Sequence, residues 1–179
     1  MKLLVMADSH GDAAAVREIV ARNIKSVDGF VHLGDGLKEF IEAMETFGCN
    51  HYHYIAGNHE DDSYFNYSPD FRIIKADNCS ILITHGDRYH NKLDLMGVAH
   101  IAAVNGADVA LCGHTHVAAD ETIHGVRVIN PGALRYWRDK SPGYAILSVS
   151  DDVDVEFIEV ECLKTSPMER EYIESTNNG

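Results

Sequence analysis

Short apolar runs that stop abruptly at a glycine flanked by Asp, Asn or His recur along this chain, and they constrain its fold more than any other feature. Lys2 to Ala7 is such a run, halted at Asp8-Ser9-His10-Gly11. A helical stripe follows through Ala13, Val16, Ile19, Val20 and Ile24, with Asp12 placed to cap it. Gly29 to Leu33 repeats the pattern, breaks at Gly34-Asp35-Gly36, and gives way to a second stripe at Leu37, Phe40, Ile41, Met44 and Phe47. His51 to Ala56 is a third run, ending in Gly57-Asn58-His59-Glu60. Strands alternating with helices predict parallel βαβ units, whose crossovers are right-handed and whose ligands gather beyond the carboxyl ends of the strands.

The second half is richer in strand. Phe71 to Ala76 and Cys79 to Thr84 flank Asp77-Asn78, a hairpin signal. Leu93 to Val104 reads as helix, and Asp108 to Cys112 as a buried strand ending at Gly113-His114-Thr115-His116. Glu121 to Ile129 folds back at His124-Gly125. Gly143 to Val149 and Val153 to Cys162 form a last pair joined by Asp151-Asp152. Along that final strand the apolar set changes phase between Val155 and Ile158, which predicts a bulge near Phe157.

With 179 residues, 45% of them hydrophobic, the chain suits one compact soluble domain, taken as residues 1–163, followed by a polar C-terminal tail over 164–179. No segment approaches the roughly 18 consecutive apolar residues of a membrane span, and the N-terminus lacks a basic segment leading into a long apolar one, so a cytoplasmic location is expected. Fifteen Lys and Arg against 28 Asp and Glu give a net charge of −13, which argues against non-specific nucleic-acid binding. The cysteines at 49, 79, 112 and 162 form no close pair and read as buried thiols. Eleven histidines beside that excess of carboxylates instead favour a metal site of imidazole and carboxylate.

Taken singly, most of the strand-end residues have ordinary explanations. Asp8 and His10 suit the start of a helix, and Asp35 between glycines suits a turn. His114 with His116 is the exception, since two loop histidines at i, i+2 can turn both rings toward one centre. Taken together and in order, each at a strand end, they describe one cleft rather than a series of accidents.

Asp8-Ser9-His10, Gly34-Asp35, Gly57-Asn58-His59-Glu60, Thr84-His85-Gly86 and Gly113-His114-Thr115-His116 resemble the ordered signature blocks of the calcineurin-like metallophosphoesterases. More narrowly, about residues 1 to 160 are similar to the small phosphodiesterases of the YfcE type, which lack a separate cap domain. The resemblance implies an α/β (α+β) fold, a four-layer α-β-β-α sandwich of two mixed sheets flanked by helices. It also implies two divalent ions at one edge, the first held by Asp8, His10 and His116, the second by Asn58, His85 and His114, with Asp35 bridging. His59 matches the catalytic histidine. Asn130-Pro131-Gly132-Ala133-Leu134 resembles a downstream block whose arginine would be Arg138, with Arg135 a further substrate-binding candidate. Glu60 stands where Asp is usual and Ala133 where Ser is usual. His32, His51, His53, His90, His100 and His124 fit no block and read as structural or surface residues.

Elementary electrostatics agrees. Two divalent ions with two carboxylates leave a local charge of about +2, or about +1 with a bridging hydroxide, so an anionic ester is attracted despite the negative chain. Ligands of nitrogen and oxygen without sulfur suit Mn²⁺, the expected assay metal, or Fe²⁺, Ni²⁺ or Zn²⁺. The expected activity is hydrolysis of a small phosphate diester by metal-bridging hydroxide. Two alternatives are a phosphomonoesterase or protein phosphatase, and a non-catalytic scaffold of the kind that the retromer's metallophosphoesterase-like subunit provides. Tyr64, Phe65, Tyr67, Tyr136 and Trp137 are candidates for a pocket wall, against core or interface roles. Self-association as a dimer or tetramer is expected of such small members.

Overall fold

Because β1 (Lys2–Met6) is apolar at successive positions, it has no face to offer water, and the fold covers it on both sides. The computed structural model describes residues 1–61, 63, 68–135 and 141–160. Helix α1 (Ala13–Asn23) follows, capped by Asp12, whose carboxylate accepts the Ala15 N–H at 3.0 Å. Next come β2 (Gly29–His32), α2 (Leu37–Phe47) and β3 (Tyr52–Tyr54), with β1, β2 and β3 parallel as the βαβ reading requires. The hairpins also form where turn residues mark them: β4 (Arg72–Ala76) with β5 (Cys79–Ile83), and, later, β7 (Ala119–Ile123) with β8 (Val126–Asn130). Between them lie a 3₁₀ turn at Asp87–Tyr89, α3 (Met96–Val104) and β6 (Val109–Leu111). Strands β9 (Gly143–Val149) and β10 (Val153–Glu159) close the described chain.

These strands form two mixed five-stranded sheets, ordered β10-β9-β1-β2-β3 and β4-β5-β6-β8-β7. Period-two alternation sorts the side chains into layers. Leu3, Val5 and Val31 of the first sheet meet Ile81, Ile83, Val109 and Leu111 of the second. On the outer side, Leu4 and Met6 pack beneath Val16, Ile19 and Val20 of α1 and Phe40, Ala43 and Met44 of α2. Leu82, Ala110 and Val128 carry Val98, Ala99 and Ala102 of α3 on the opposite side. The result is the four-layer α-β-β-α sandwich.

Two local expectations need correction. No bulge interrupts β10: its register with β9 runs unbroken from Val153 opposite Val149 to Glu159 opposite Gly143. The apolar phase changes because this edge strand changes partners along its length. Val153 and Val155 pack into the inter-sheet core, whereas Ile158 and Val160 turn to the helical layer on the other face, and Phe157 is left 40% exposed. Helix α3 begins at Met96 rather than Leu93, because the Asp94 carboxylate takes the Met96 N–H at 2.9 Å and Leu93 projects into solvent. Cys79 and Cys112 are buried and Cys49 is half-buried. Cys162 and the expected tail over 164–179 lie outside the described residues.

Phe40 is fully buried, with its ring 5.0 Å from that of His32 and 5.7 Å from that of Tyr52. Phe40→Ala is expected to lower unfolding free energy by about 3–5 kcal/mol in urea titrations, with the slope unchanged.

Candidate metal centre

The carboxyl ends of β1, β2 and β3 belong to one sheet and those of β5 and β6 to the other, so the cleft forms where the two sheet edges meet. Main-chain bonds tie the loops together: Asp8 N–H donates to Gly34 O at 2.9 Å, His10 N–H to Asp35 O at 2.8 Å, and Gly113 N–H to His85 O at 3.0 Å. Glycine is needed where loops touch. A Cβ on Gly34 would sit 2.7 Å from His85 Nδ1 and 2.8 Å from Gly57 Cα.

Two groups of side chains converge. Asp8, His10 and His116 form one and Asp35, His85 and His114 the other, each with candidate ligand atoms mutually within 4.8 Å. His10 Nε2 lies 3.1 Å from His116 Nε2. His85 Nε2 lies 3.2 Å from Asn58 Oδ1, which brings Asn58 to the second group, and 3.5 Å from Asp35 Oδ2. The His85 Nδ1–H donates to Leu33 O at 2.7 Å, so the other nitrogen faces the cleft.

The two carboxylates are held alike. Asp8 Oδ2 accepts the His114 N–H at 2.9 Å and Asp35 Oδ1 accepts the His59 N–H at 2.8 Å. The second oxygen of each, Asp8 Oδ1 and Asp35 Oδ2, is buried and accepts no hydrogen bond. Asp8 Oδ1 faces His116 Nε2 at 3.2 Å and His10 Nε2 at 3.9 Å, and Asp35 Oδ2 also lies 3.9 Å from His10 Nε2. A buried carboxylate oxygen without a donor is costly unless a cation completes it. The donor set therefore fits divalent ions on an observation of its own geometry.

Backbone conformation marks the same residues. Eight described non-glycine residues have positive φ, and five of them are candidate ligands: Asp8 (55°), His10 (47°), Asp35 (57°), His114 (67°) and His116 (61°). Each costs about 1–2 kcal/mol relative to an ordinary conformation, strain of the kind that concentrates at functional sites.

Protonation follows from the packing. Burial works against the Asp35 charge, but the neighbouring His85, whose Nε2 lies 3.5 Å from Oδ2, and the His59 N–H prevail, holding it down to about 2. Burial likewise opposes the His85 cation, yet Asp35 and Asp8 push its pKa up to about 9. Burial lowers His10, and burial with the neighbouring His85 lowers His114 to about 4.

His59 is exposed at the rim, its ring edge-on to that of His10 with centroids 5.7 Å apart. Glu60, the departure from the usual Asp, reaches the start of α2, where its carboxylate accepts the N–H groups of Gly36 at 2.8 Å and Leu37 at 3.1 Å. The longer side chain thus ties the Asn58-His59 loop to the loop carrying Asp35. Asn130 donates through Nδ2 to Gly113 O at 2.9 Å and Thr115 Oγ1 at 3.0 Å, while Ala133 is buried. Arg135 is exposed, and no hydrogen bond or ion pair joins it to either group. Arg138, Tyr64, Phe65, Tyr67, Tyr136 and Trp137 lie outside the described residues.

Sequence reasoning missed one supporting residue, Asn91, and left another, His32, as structural or surface. Asn91 donates to Gly113 O at 3.0 Å from a buried position after the 3₁₀ turn. His32 is completely buried beneath the cleft, where its Nδ1 accepts the Gly34 N–H at 3.1 Å. The available signal was a lone polar residue inside the apolar run Phe30-Val31-His32-Leu33.

A family model described as the calcineurin-like phosphoesterase superfamily domain matches residues 1–152. The chain is 33% identical over 157 residues to the probable metallophosphoesterase YsnB of Bacillus subtilis, covering 85% of this chain and 86% of that protein. It is 30% identical over 148 residues to a phosphodiesterase of Methanocaldococcus jannaschii, covering 74% and 83% respectively. In fold it resembles the zinc-complexed crystal structure of Vps29 from Entamoeba histolytica, with a TM-score of 0.71, 21% identity, and coverage of 89% of this chain and 99% of that one.

Burial pushes the His32 pKa down to about 3. The unfolded chain therefore takes up a proton below about 6.5 that the native state refuses, so this contribution to stability is complete above pH 6.5 and is lost as pH falls toward 3. In chelator-treated protein, the drop in urea midpoint from pH 7 to pH 5 is expected to be smaller for His32→Gln than for the wild type.

Proposed function

The chain belongs to the calcineurin-like phosphoesterase superfamily and is a metal-dependent phosphoric ester hydrolase; from that premise we propose that it cleaves small phosphate diesters at a centre of two divalent ions. The observation that carries this reading is the pair of buried oxygens, Asp8 Oδ1 and Asp35 Oδ2, that accept no hydrogen bond and face imidazole nitrogens. Asp8, His10 and His116 would hold one ion and Asn58, His85 and His114 the other. Asp35 would serve both, in keeping with an Oδ2 that lies 3.9 Å from His10 Nε2 and 3.5 Å from His85 Nε2. When bound, such ions acidify water and neutralise charge on the phosphoryl oxygens. Nitrogen and oxygen donors without sulfur suit Mn²⁺, Fe²⁺, Ni²⁺ or Zn²⁺, of which manganese is the metal assigned for the assay.

The remaining work falls to the protein. His59 projects into solvent at the rim while its main chain is fixed by Asp35 Oδ1. From there the ring can hand a proton to the departing alkoxide, the role of a general acid. Of the two ester classes, the diester is the one assigned. The M. jannaschii relative, named a phosphodiesterase, supports the same choice. Arg135 and Arg138 are assigned to the phosphate as substrate-binding residues. A cytoplasmic, self-associating protein completes the reading, and among the described residues no helix is long and apolar enough to cross a membrane.

With Mn²⁺, bis(p-nitrophenyl) phosphate is expected to turn over faster than p-nitrophenyl phosphate. Excess chelator should abolish the activity, and His59→Ala should lower kcat by about 10²–10⁴-fold. Preference for the monoester would overturn the diester assignment, and inactivity of metal-loaded protein on both compounds would favour a scaffold.

A further inference from the structure

Beneath the two ligand groups runs a chain of hydrogen bonds, buried as far as Glu39 and reaching the surface at Gly11, that the proposed chemistry does not use. Gly34 N–H donates to His32 Nδ1 at 3.1 Å, which leaves the ring proton on Nε2, 3.4 Å from Ser9 Oγ. Ser9 in turn donates to Glu39 Oε1 at 2.8 Å, and the Gly11 N–H reaches the same oxygen at 2.6 Å. Ser9 and His32 are fully buried and Glu39 is 7% exposed. One end of the chain abuts Asp35 and the other encloses His10.

Glu39 lies in the first turn of α2, where a carboxylate suits the positive end of the helix dipole. Yet both of its hydrogen bonds leave the helix and go to the loop after β1. They grip the residues on either side of His10, Ser9 through its hydroxyl and Gly11 through its N–H, while the His10 N–H is held separately by Asp35 O. His10 is left-handed, with φ at 47°, and its Nε2 stands 3.1 Å from His116 Nε2. The clamp is packed closed. A Cβ on Gly36 would run into Ser9 Oγ and lie 2.7 Å from Glu39 Oε1.

We propose that Glu39 is a positioning residue for the ion held by Asp8, His10 and His116, acting through Ser9 and the Gly11 amide to keep His10 in its left-handed, ligand-facing conformation. The inference rests on the metal-centre reading above and assigns Glu39 no contact with metal or substrate.

The test is calorimetric titration of the full chain with Mn²⁺, comparing the wild type with Glu39→Ala, Glu39→Gln and Ser9→Ala. Met44→Ala, a buried substitution later in α2, controls for general destabilisation. Glu39→Ala is expected to weaken one of two ions by about 10–100-fold and to spare the other, the usual scale for losing support behind a ligand. Glu39→Gln retains an acceptor oxygen and should bind both ions nearly as the wild type does, whereas Ser9→Ala should fall between. Unchanged affinities in Glu39→Ala would overturn the proposal. So would an equal loss in Met44→Ala, or a Glu39→Gln variant as impaired as Glu39→Ala. A wild-type chain that binds no Mn²⁺ would instead remove the metal centre itself, and the role of Glu39 with it.

Discussion

Two negative charges lie buried at the meeting edge of two sheets, and the rest of the molecule is arranged around keeping them there. Asp8 and Asp35 are each secured by one main-chain N–H, and each presents its other oxygen to a ring of imidazoles. Burial by itself disfavours such charges, and at Asp35 the neighbouring His85 and the His59 N–H outweigh it. The left-handed ligand backbones add strain of their own. A stacked core of Leu, Val and Ile on both faces of each sheet supplies the rigidity that holds this strained constellation together.

The same geometry reconciles the charge of the molecule with its substrate. A chain of net charge −13 repels anions at long range. In the proposed centre, divalent ions would outweigh Asp8 and Asp35 over a few ångströms and make phosphate attractive at close quarters. Screening at physiological ionic strength limits the long-range repulsion to about 8 Å and leaves the short-range attraction to decide binding.

Much of this was legible in the amino-acid sequence. Apolar runs such as Lys2 to Ala7 and Gly29 to Leu33 marked the inner strands because helices and a second sheet cover them on both faces. Abrupt Gly-Asp and Gly-His endings marked the cleft because sharp turns at strand ends expose side chains there. What escaped was information carried by tertiary placement. His32 looked like a surface or structural histidine, since nothing in its neighbours discloses that Ser9 and Glu39 come to meet it. Asn91 was likewise invisible, because its partner Gly113 lies on a different strand end. The phase change in β10 was seen correctly but misexplained, for a strand can exchange one packing partner for another without gaining a residue.

The division of the candidate ligands between the two sheets has a consequence for assembly. Asp8, His10, Asp35 and Asn58 come from the first third of the chain, whereas His85, His114 and His116 come from the second sheet. Neither sheet alone can complete either coordination group. Any ion that binds both sets therefore acts as a rivet between layers otherwise joined by non-directional apolar contact, and its binding energy adds to the adhesion of the sandwich. A centre built this way forms only when the sheets are stacked in the correct register, so ion occupancy reports on the completeness of the fold.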